Sequence, residues 1–321
     1  MTNLLEQLKY PIMQAPIGSA TSIELATAVT RAGGLGSMAM TWDEPAIAAE
    51  TIESLNKSLT GPYVANFVMT FDCPGLPAVI EAGAPIITLS WGMPKPAVDL
   101  VRQSKSLLGI QVGSQSGAMA AARMGADFLI CQGIEAGGHV QSSTALHTLL
   151  AQVLALKTGL PIVAAGGIAN AEDVRAVLNA GADIAALGTR FVNAMESRAH
   201  PAYQQAIINA HEQDTAFTCC FDGGWPNTNS RVLRNPTFSQ WEAEGCPPLG
   251  KRPGEGDIVA TTASGWKIPR YSIASPVDTT VGNVLDLALY AGKSCERIDD
   301  ILPAAEIIKS LIATEKPVRA A

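Results

Sequence analysis

The stretch from Pro161 to Arg190, PIVAAGGIANAEDVRAVLNAGADIAALGTR, is a complete strand–helix–strand unit. Pro161–Ala165 and Asp183–Leu187 are short apolar runs with the length and residue types of buried strands, and Ala171–Asn179 between them has amphipathic helical spacing. Asn170 stands at the helix start ahead of an acidic first turn, and Gly181 stands where the helix must stop. Two strands joined through a helix pair parallel, because a hairpin turn cannot return the chain in the same direction. Both strands also end in glycine, at Ala164-Ala165-Gly166-Gly167-Ile168 and at Leu187-Gly188-Thr189-Arg190.

The same unit recurs towards the N-terminus. Strand-like runs occur at Pro11–Gln14, Gly34–Met38, Tyr63–Phe67, Pro85–Ser90, Leu108–Val112 and Asp127–Cys131. Helical segments occur at Ile23–Arg31, Pro45–Lys57, Pro94–Ser104, Gln115–Met124 and Leu146–Lys157. Thr21-Ser22-Ile23-Glu24 fits a capping box and Asp43-Glu44-Pro45 puts proline in a first turn. Glycine stop signals recur at Gly33-Gly34, Gly83 and Gly125. Eight strands alternating with helices leave two architectures, an open doubly wound sheet or a closed barrel. The first strand runs into Gln14-Ala15-Pro16-Ile17-Gly18-Ser19, which lacks the GxGxxG of a dinucleotide fold. The expected fold is therefore α/β, a (β/α)8 TIM barrel with a loop-rich C-terminal cap or lobe.

After Val192 the pattern changes. A helix is expected at Pro201–His211, a Gly-, Pro-, Asn- and Trp-rich stretch at Thr215–Ser275, and a helical close from Gly282 to Ala313. Residues 1–200 with 276–321 are read as the barrel and its closing helices, and 201–275 as a cap over the barrel mouth.

The chain has 321 residues, 47% hydrophobic and 16% charged, with a formal net charge of −7, which supplies a large core and argues against a nucleic-acid or membrane partner. Met1 to Lys9 is too short and mixed for a signal peptide, and no apolar run is long enough to span a membrane. Six scattered cysteines without a CxxC pair argue against zinc and for reduced thiols, so a cytoplasmic enzyme is expected. No metal is expected.

In a barrel the loops after the strands build the active site. Gly166, Gly167, Gly188 and Thr189 follow strands seven and eight, where backbone N–H groups commonly cradle a phosphate. After strand six comes Gln132-Gly133-Ile134-Glu135-Ala136-Gly137-Gly138-His139, whose small residues admit a flat ring. Of four histidines, His139 alone sits at a strand end beside a glycine pair, while His147 reads as a helix-face residue and His200 and His211 flank a peripheral helix. An imidazole there can move a proton or donate to an anion. Met13, Gln14 and Ala15 leave the first strand, Asn66 the third and Gln111 the fifth, which supplies neutral polar groups for a ring edge.

Pro11–Pro16, Ala32–Gly36, Gln132–His139, Ala164–Ile168 and Leu187–Phe191 together resemble the nitronate monooxygenase family, formerly called 2-nitropropane dioxygenases. The resemblance implies FMN as cofactor, with Met13, Gln14, Ala15, Asn66 and Gln111 near its ring. It implies Gly137, Gly138, Gly166, Gly167, Gly188 and Thr189 on the ribityl-phosphate side, and His139 as the catalytic histidine. The implied reaction oxidises an alkyl nitronate with O2 to a carbonyl compound and nitrite. NAD(P)H:quinone reductases and flavin-type enoyl reductases share these landmarks, so an NAD(P)H-dependent reductase is the alternative. A non-catalytic barrel binding a phosphorylated ligand is a third reading, a sugar-phosphate isomerase using Glu135 and His139 a fourth, and a homodimer is left open. The chain departs from the family pattern at Gln141, where glycine is common, at Gln111, where lysine is frequent, and at Lys293, where glutamine is usual. Glu135 stays outside the catalytic set.

Overall fold

The computed structural model describes residues 4–313; residues 1–3 and 314–321, the ends of the expected barrel segment and part of the Met1–Lys9 stretch, lie outside the described residues. The first half alternates strand and helix: β1 (Ile12–Gln14), α1 (Ile23–Arg31), β2 (Gly36–Ala39), α2 (Pro45–Ser58), β3 (Tyr63–Val68), α3 (Leu76–Glu81) and β4 (Ile86–Ser90). It continues through α4 (Lys95–Arg102), β5 (Leu107–Val112), α5 (Gln115–Met124) and β6 (Phe128–Gln132). The two-residue β7 (Gly138–His139) stands outside this sheet, before α6 (Leu146–Leu154), β8 (Ile162–Ala165), α7 (Ala171–Asn179) and β9 (Ile184–Leu187).

Eight strands pair in parallel in the order β1-β9-β8-β6-β5-β4-β3-β2. A parallel bridge between Met13 and Leu35 joins the two ends, with Gln14 N–H donating to the Leu35 carbonyl at 2.9 Å and Leu35 N–H to that of Ile12 at 2.8 Å. This closes the sheet into a barrel and removes its edges. The expected strands all form, within two residues at each end.

Strand alternation sorts the apolar residues into two cores. Ile12, Ala65, Ile87, Leu108, Leu129 and Ala185 face the helix ring, whereas Met13, Val64, Ile86, Phe128, Val163 and Ile184 fill the interior, joined by Leu4 from the N-terminal turn. Gly109 is required there, because a Cβ would lie 2.2 Å from the Phe128 ring. Further along the same strands, Asn66, Thr88, Gln111 and Gln132 turn the interior polar. The barrel is thus greasy at its base and hydrogen-bonding at its mouth.

Several local features differ from the sequence reading. The α1 cap is Ser22, whose Oγ accepts from Leu25 N–H at 2.8 Å, one residue beyond the expected Thr21. At α7 the cap is Asn170, in a full capping box with Asp173. Following α8 (Thr189–Val192) and α9 (Pro201–Ile208), the stretch expected to be loop carries regular structure: β10 (Thr215–Thr218), β11 (Ser230–Leu233), α10 (Pro236–Ala243), β12 (Ile258–Thr261) and β13 (Lys267–Pro269). All are short; β12 and β13 form a hairpin across residues 262–266, but β11 reaches back to β7 and β12 forward to β14 (Val281–Gly282), pairings that local pattern does not announce. The expected helical close over Gly282–Ala313 is mostly a strap, with one α-helix, α11 (Ala304–Ile312), behind Pro303. Leu287, Ala288, Leu289 and Ala291 are all buried, a run covered on every side that a one-faced helix could not bury.

Among the described residues no helix is long and apolar enough to cross a membrane, no group of side chains is arranged to hold a metal ion, and all six cysteines are free. Gly109→Ala is expected to lower stability in denaturant melts by about 1–3 kcal/mol through overpacking against Phe128, with the far-UV spectrum retained.

Candidate active site at the barrel mouth

Gln132 ends β6 inside the mouth, and its carboxamide is used at both ends. Nε2 donates to the His139 carbonyl at 3.2 Å, and Oε1 accepts from Gln141 N–H at 2.9 Å. The Gln141 side chain is held in turn, its Oε1 accepting from Gln111 Nε2 at 2.7 Å. Gln111 and Gln141, two of the positions at which the sequence departs from the pattern it resembles, are therefore hydrogen-bonded to each other. Three neutral amides fasten the segment carrying His139 to the polar layer of the barrel without adding charge.

The other edge of that segment is held by β11, which pairs antiparallel to β7 with Ser230 opposite His139 and Arg231 opposite Gly138. The Arg231 guanidinium donates to the Ile134 carbonyl through both Nε and Nη2, at 3.2 and 2.9 Å. Burial lowers the Arg231 pKa from its ordinary value, opposed by the nearby Glu135 and Glu212 carboxylates. Glu135 Oε2 accepts from Leu146 N–H at 3.0 Å and so satisfies the first turn of α6, which is a structural use of that carboxylate.

His139 is enclosed by rings. Trp225 stacks on it at 4.4 Å between centroids with planes 29° apart, Tyr290 lies at 5.4 Å and Trp91 meets it edge-on at 6.5 Å. Burial pulls the imidazole pKa down to about 4, so the ring is neutral at physiological pH. Its Nε2 is buried without a hydrogen-bond partner, an exposed cost in a folded protein unless a bound group uses it. The remaining histidines do other work: His147 is exposed on α6 and His200 Nδ1 caps α9.

The glycine turns pack on the same segment, Gly166 against Gly133 and Ala136 and Gly167 against Glu135. Gly138, Gly166 and Gly167 have φ of +77°, +121° and +71°, conformations that side chains resist, and a Cβ on Gly138 would meet nothing within 4 Å. Gly137 packs directly on the Ala291–Gly292 backbone, where a Cβ would lie 2.5 Å from Gly292 N. Thr189 Oγ1 accepts from Gly292 N–H at 3.0 Å, which leaves its own proton free to donate, and Gly188 precedes it at the start of α8. Arg297 Nη2 donates to the Gly167 carbonyl at 2.7 Å.

Not every residue singled out from sequence opens on the mouth. Met13 is buried in the interior core, and the Gln14 side chain is spent on Ser37 N–H and the Ala15 carbonyl. Ala15 N–H donates to Leu187, tying the exit of β1 to that of β9. Asn66 Oδ1 accepts from Thr88 Oγ1 at 2.9 Å. Gln132, Trp91, Trp225 and Tyr290 were absent from the sequence-derived set. Gln132 carried the same signal as Asn66 and Gln111, a polar residue ending an apolar strand, whereas the aromatics come from loops whose convergence no local pattern reveals.

A family profile described as nitronate monooxygenase matches residues 72–314. A nitronate monooxygenase of Pseudomonas aeruginosa is 30% identical, with 95% of this chain and 96% of that protein covered. FabK of Thermotoga maritima superposes with a TM-score of 0.79 at 26% identity, covering 97% of this chain and 94% of its own. Nitroalkane oxidase of Streptomyces ansochromogenes superposes with a TM-score of 0.76 at 25% identity, covering 97% of each chain.

The depressed His139 pKa links stability to pH. Between the folded value of about 4 and the unfolded value of about 6.5 the unfolded chain binds more protons, so this contribution is complete above the upper limit and is lost as pH falls towards the lower. Wild type is expected to lose more melting temperature than His139→Gln between pH 7 and pH 4.5; equal losses would mean a solvated imidazole. Gln132→Met leaves the His139 carbonyl and Gln141 N–H unpaired, and a loss of about 1–3 kcal/mol in denaturant melts is expected.

Proposed function

This oxidoreductase belongs to the nitronate monooxygenase family, and we propose that it holds FMN at the barrel mouth and oxidises alkyl nitronates with O2 to a carbonyl compound and nitrite. The observation carrying this reading is the buried, unpartnered Nε2 of a neutral His139 standing over a polar interior layer. The residues fit FMN. Gly166, Gly167, Gly188 and Thr189, with Gly137 and Gly138 beside them, would hold the ribityl phosphate through backbone N–H groups and the Thr189 hydroxyl. Asn66 and Gln111 would meet the polar edge of the ring and Ala15 its floor at the exit of β1, with Met13 and Gln14 buried beneath as support. When bound, FMN supplies a ring that takes an electron from the substrate and returns it to O2.

The chain's own part is binding and proton control. A neutral imidazole at His139 donates to a nitronate oxygen or receives a proton at Nε2, according to its tautomer. Gln132 fixes the backbone from which the imidazole projects, and Trp225 fixes the ring plane. The aromatic enclosure keeps bulk water from the same nitrogen. The segment 201–275 is proposed to act as the cap on a barrel formed by 1–200 and 276–321, and six free thiols support a reducing, cytoplasmic setting.

A second reading, an NAD(P)H-dependent reductase acting on a quinone or an enoyl thioester, draws on the equally extensive superposition on FabK. Anaerobic mixing separates the two. Propyl nitronate is expected to reduce the bound flavin rapidly and NADPH slowly; rapid bleaching by NADPH with none by the nitronate would reject the nitronate reading. His139→Ala is expected to keep FMN while losing roughly 10²–10⁴-fold in turnover.

A further inference from the structure

Rings gather around His139 from four separate loops. Trp42 follows β2, Phe71 follows β3, Trp91 follows β4, and Trp225 comes from the segment between β10 and β11. They form a continuous series: Trp42 to Phe71 at 5.2 Å, Phe71 to Trp225 at 4.9 Å, Trp225 to Trp91 at 4.7 Å and Trp225 to His139 at 4.4 Å. The series runs from the surface inwards, with Trp42 56% exposed, Phe71 and Trp91 half-buried and Trp225 only 8% exposed.

Such a series is costly to build for packing alone. Trp91 sits at φ +58°, a left-handed conformation rare for a bulky residue, and Gly92 follows at +146°. The Trp225 loop is braced from behind: Asp222 Oδ2 accepts from Asn227 N–H at 2.9 Å, while Asp222 Oδ1 pairs with the buried Arg252 at 2.7 Å. Trp91 and Trp225 are therefore set by their own loops. The charged side chains adjoining them in sequence, Asp43, Glu44 and Asp72, are all acidic. Acidic neighbours disfavour a substrate tail carrying phosphate or carboxylate and leave flat, uncharged surface as the recognised feature.

We propose that Trp42, Phe71, Trp91 and Trp225 form the recognition surface for the substrate's carbon skeleton, and that this skeleton is a flat, uncharged unsaturated ring whose reactive end reaches His139. Resting on the nitronate reading, this names the substrate class as aryl-bearing nitronates over short linear ones. A puckered or linear chain gains the apolar contact but loses the oriented ring–ring interaction.

The test is calorimetric titration of the full chain with benzamide and with cyclohexanecarboxamide, a flat and a puckered ring of similar size. Benzamide is expected to bind about tenfold more tightly, as one or two oriented ring contacts provide. Trp91→Leu and Phe71→Leu should each shrink that ratio at least about threefold, and the kcat/KM ratio of phenylmethane nitronate to propyl nitronate should shrink with it. Equal affinity for the two rings, or variants that weaken both alike, overturns the proposal. Ring discrimination without turnover of either nitronate supports the recognition surface and rejects the nitronate reaction; turnover of both nitronates without discrimination does the reverse.

Discussion

The carboxamide of Gln132 joins the two halves of this molecule's chemistry. It extends from the last residue of β6, so its position is set by the closed barrel, and it binds the main chain on both sides of Val140. Through those two bonds the barrel dictates where His139 stands. A charged residue could offer only donors or only acceptors in that place, whereas an amide offers one of each and stays neutral. The neutrality matters, because His139 is itself kept neutral by burial, and a neighbouring charge would move its proton affinity.

Around that bracket the cap behaves as part of the site and not as an appendage. β11 supplies the second edge for β7, and the loop before it supplies the ring that stacks on the imidazole. The buried pairing of Arg252 with Asp222 and Glu255 holds the cap's own interior, where removal of one partner would strand a charge. The strap through Tyr290 and Gly292 then closes the other side, with Gly137 and Gly292 in backbone contact. Only glycine at both positions allows that approach, which explains why the run Gly137-Gly138 is split in function: one glycine packs inward on the strap and the other faces open space.

The barrel was legible from the chain because each βα unit states its own boundaries. Apolar runs of strand length, glycine stops and capping residues are local signals, and the repetition of the unit eight times leaves little topological freedom. The glycine turns after β8 and β9 were legible for the same reason, and His139 because it alone among the histidines ends a strand region beside glycines. The strands of the segment after Thr215 were not, since each is short and the pairings that dock them, β11 on β7 and β12 on β14, join separate stretches of chain, and the extended strap was read as helix because its apolar content is high and its burial on all sides has no period.

What the sequence alone determined is the alternation of strand and helix, the order of the units and the chemistry available at each strand end. Those follow from interactions between residues a few positions apart. Tertiary structure alone decided that Gln111 and Gln141 bind each other, that Glu135 serves the start of α6, and that Trp91 and Trp225 enclose His139. Each of these depends on closure of the barrel and docking of the cap, which bring together groups separated by 11 to 134 positions along the chain. Distance in sequence carries no signal of that contact; only the closed barrel and its cap create it.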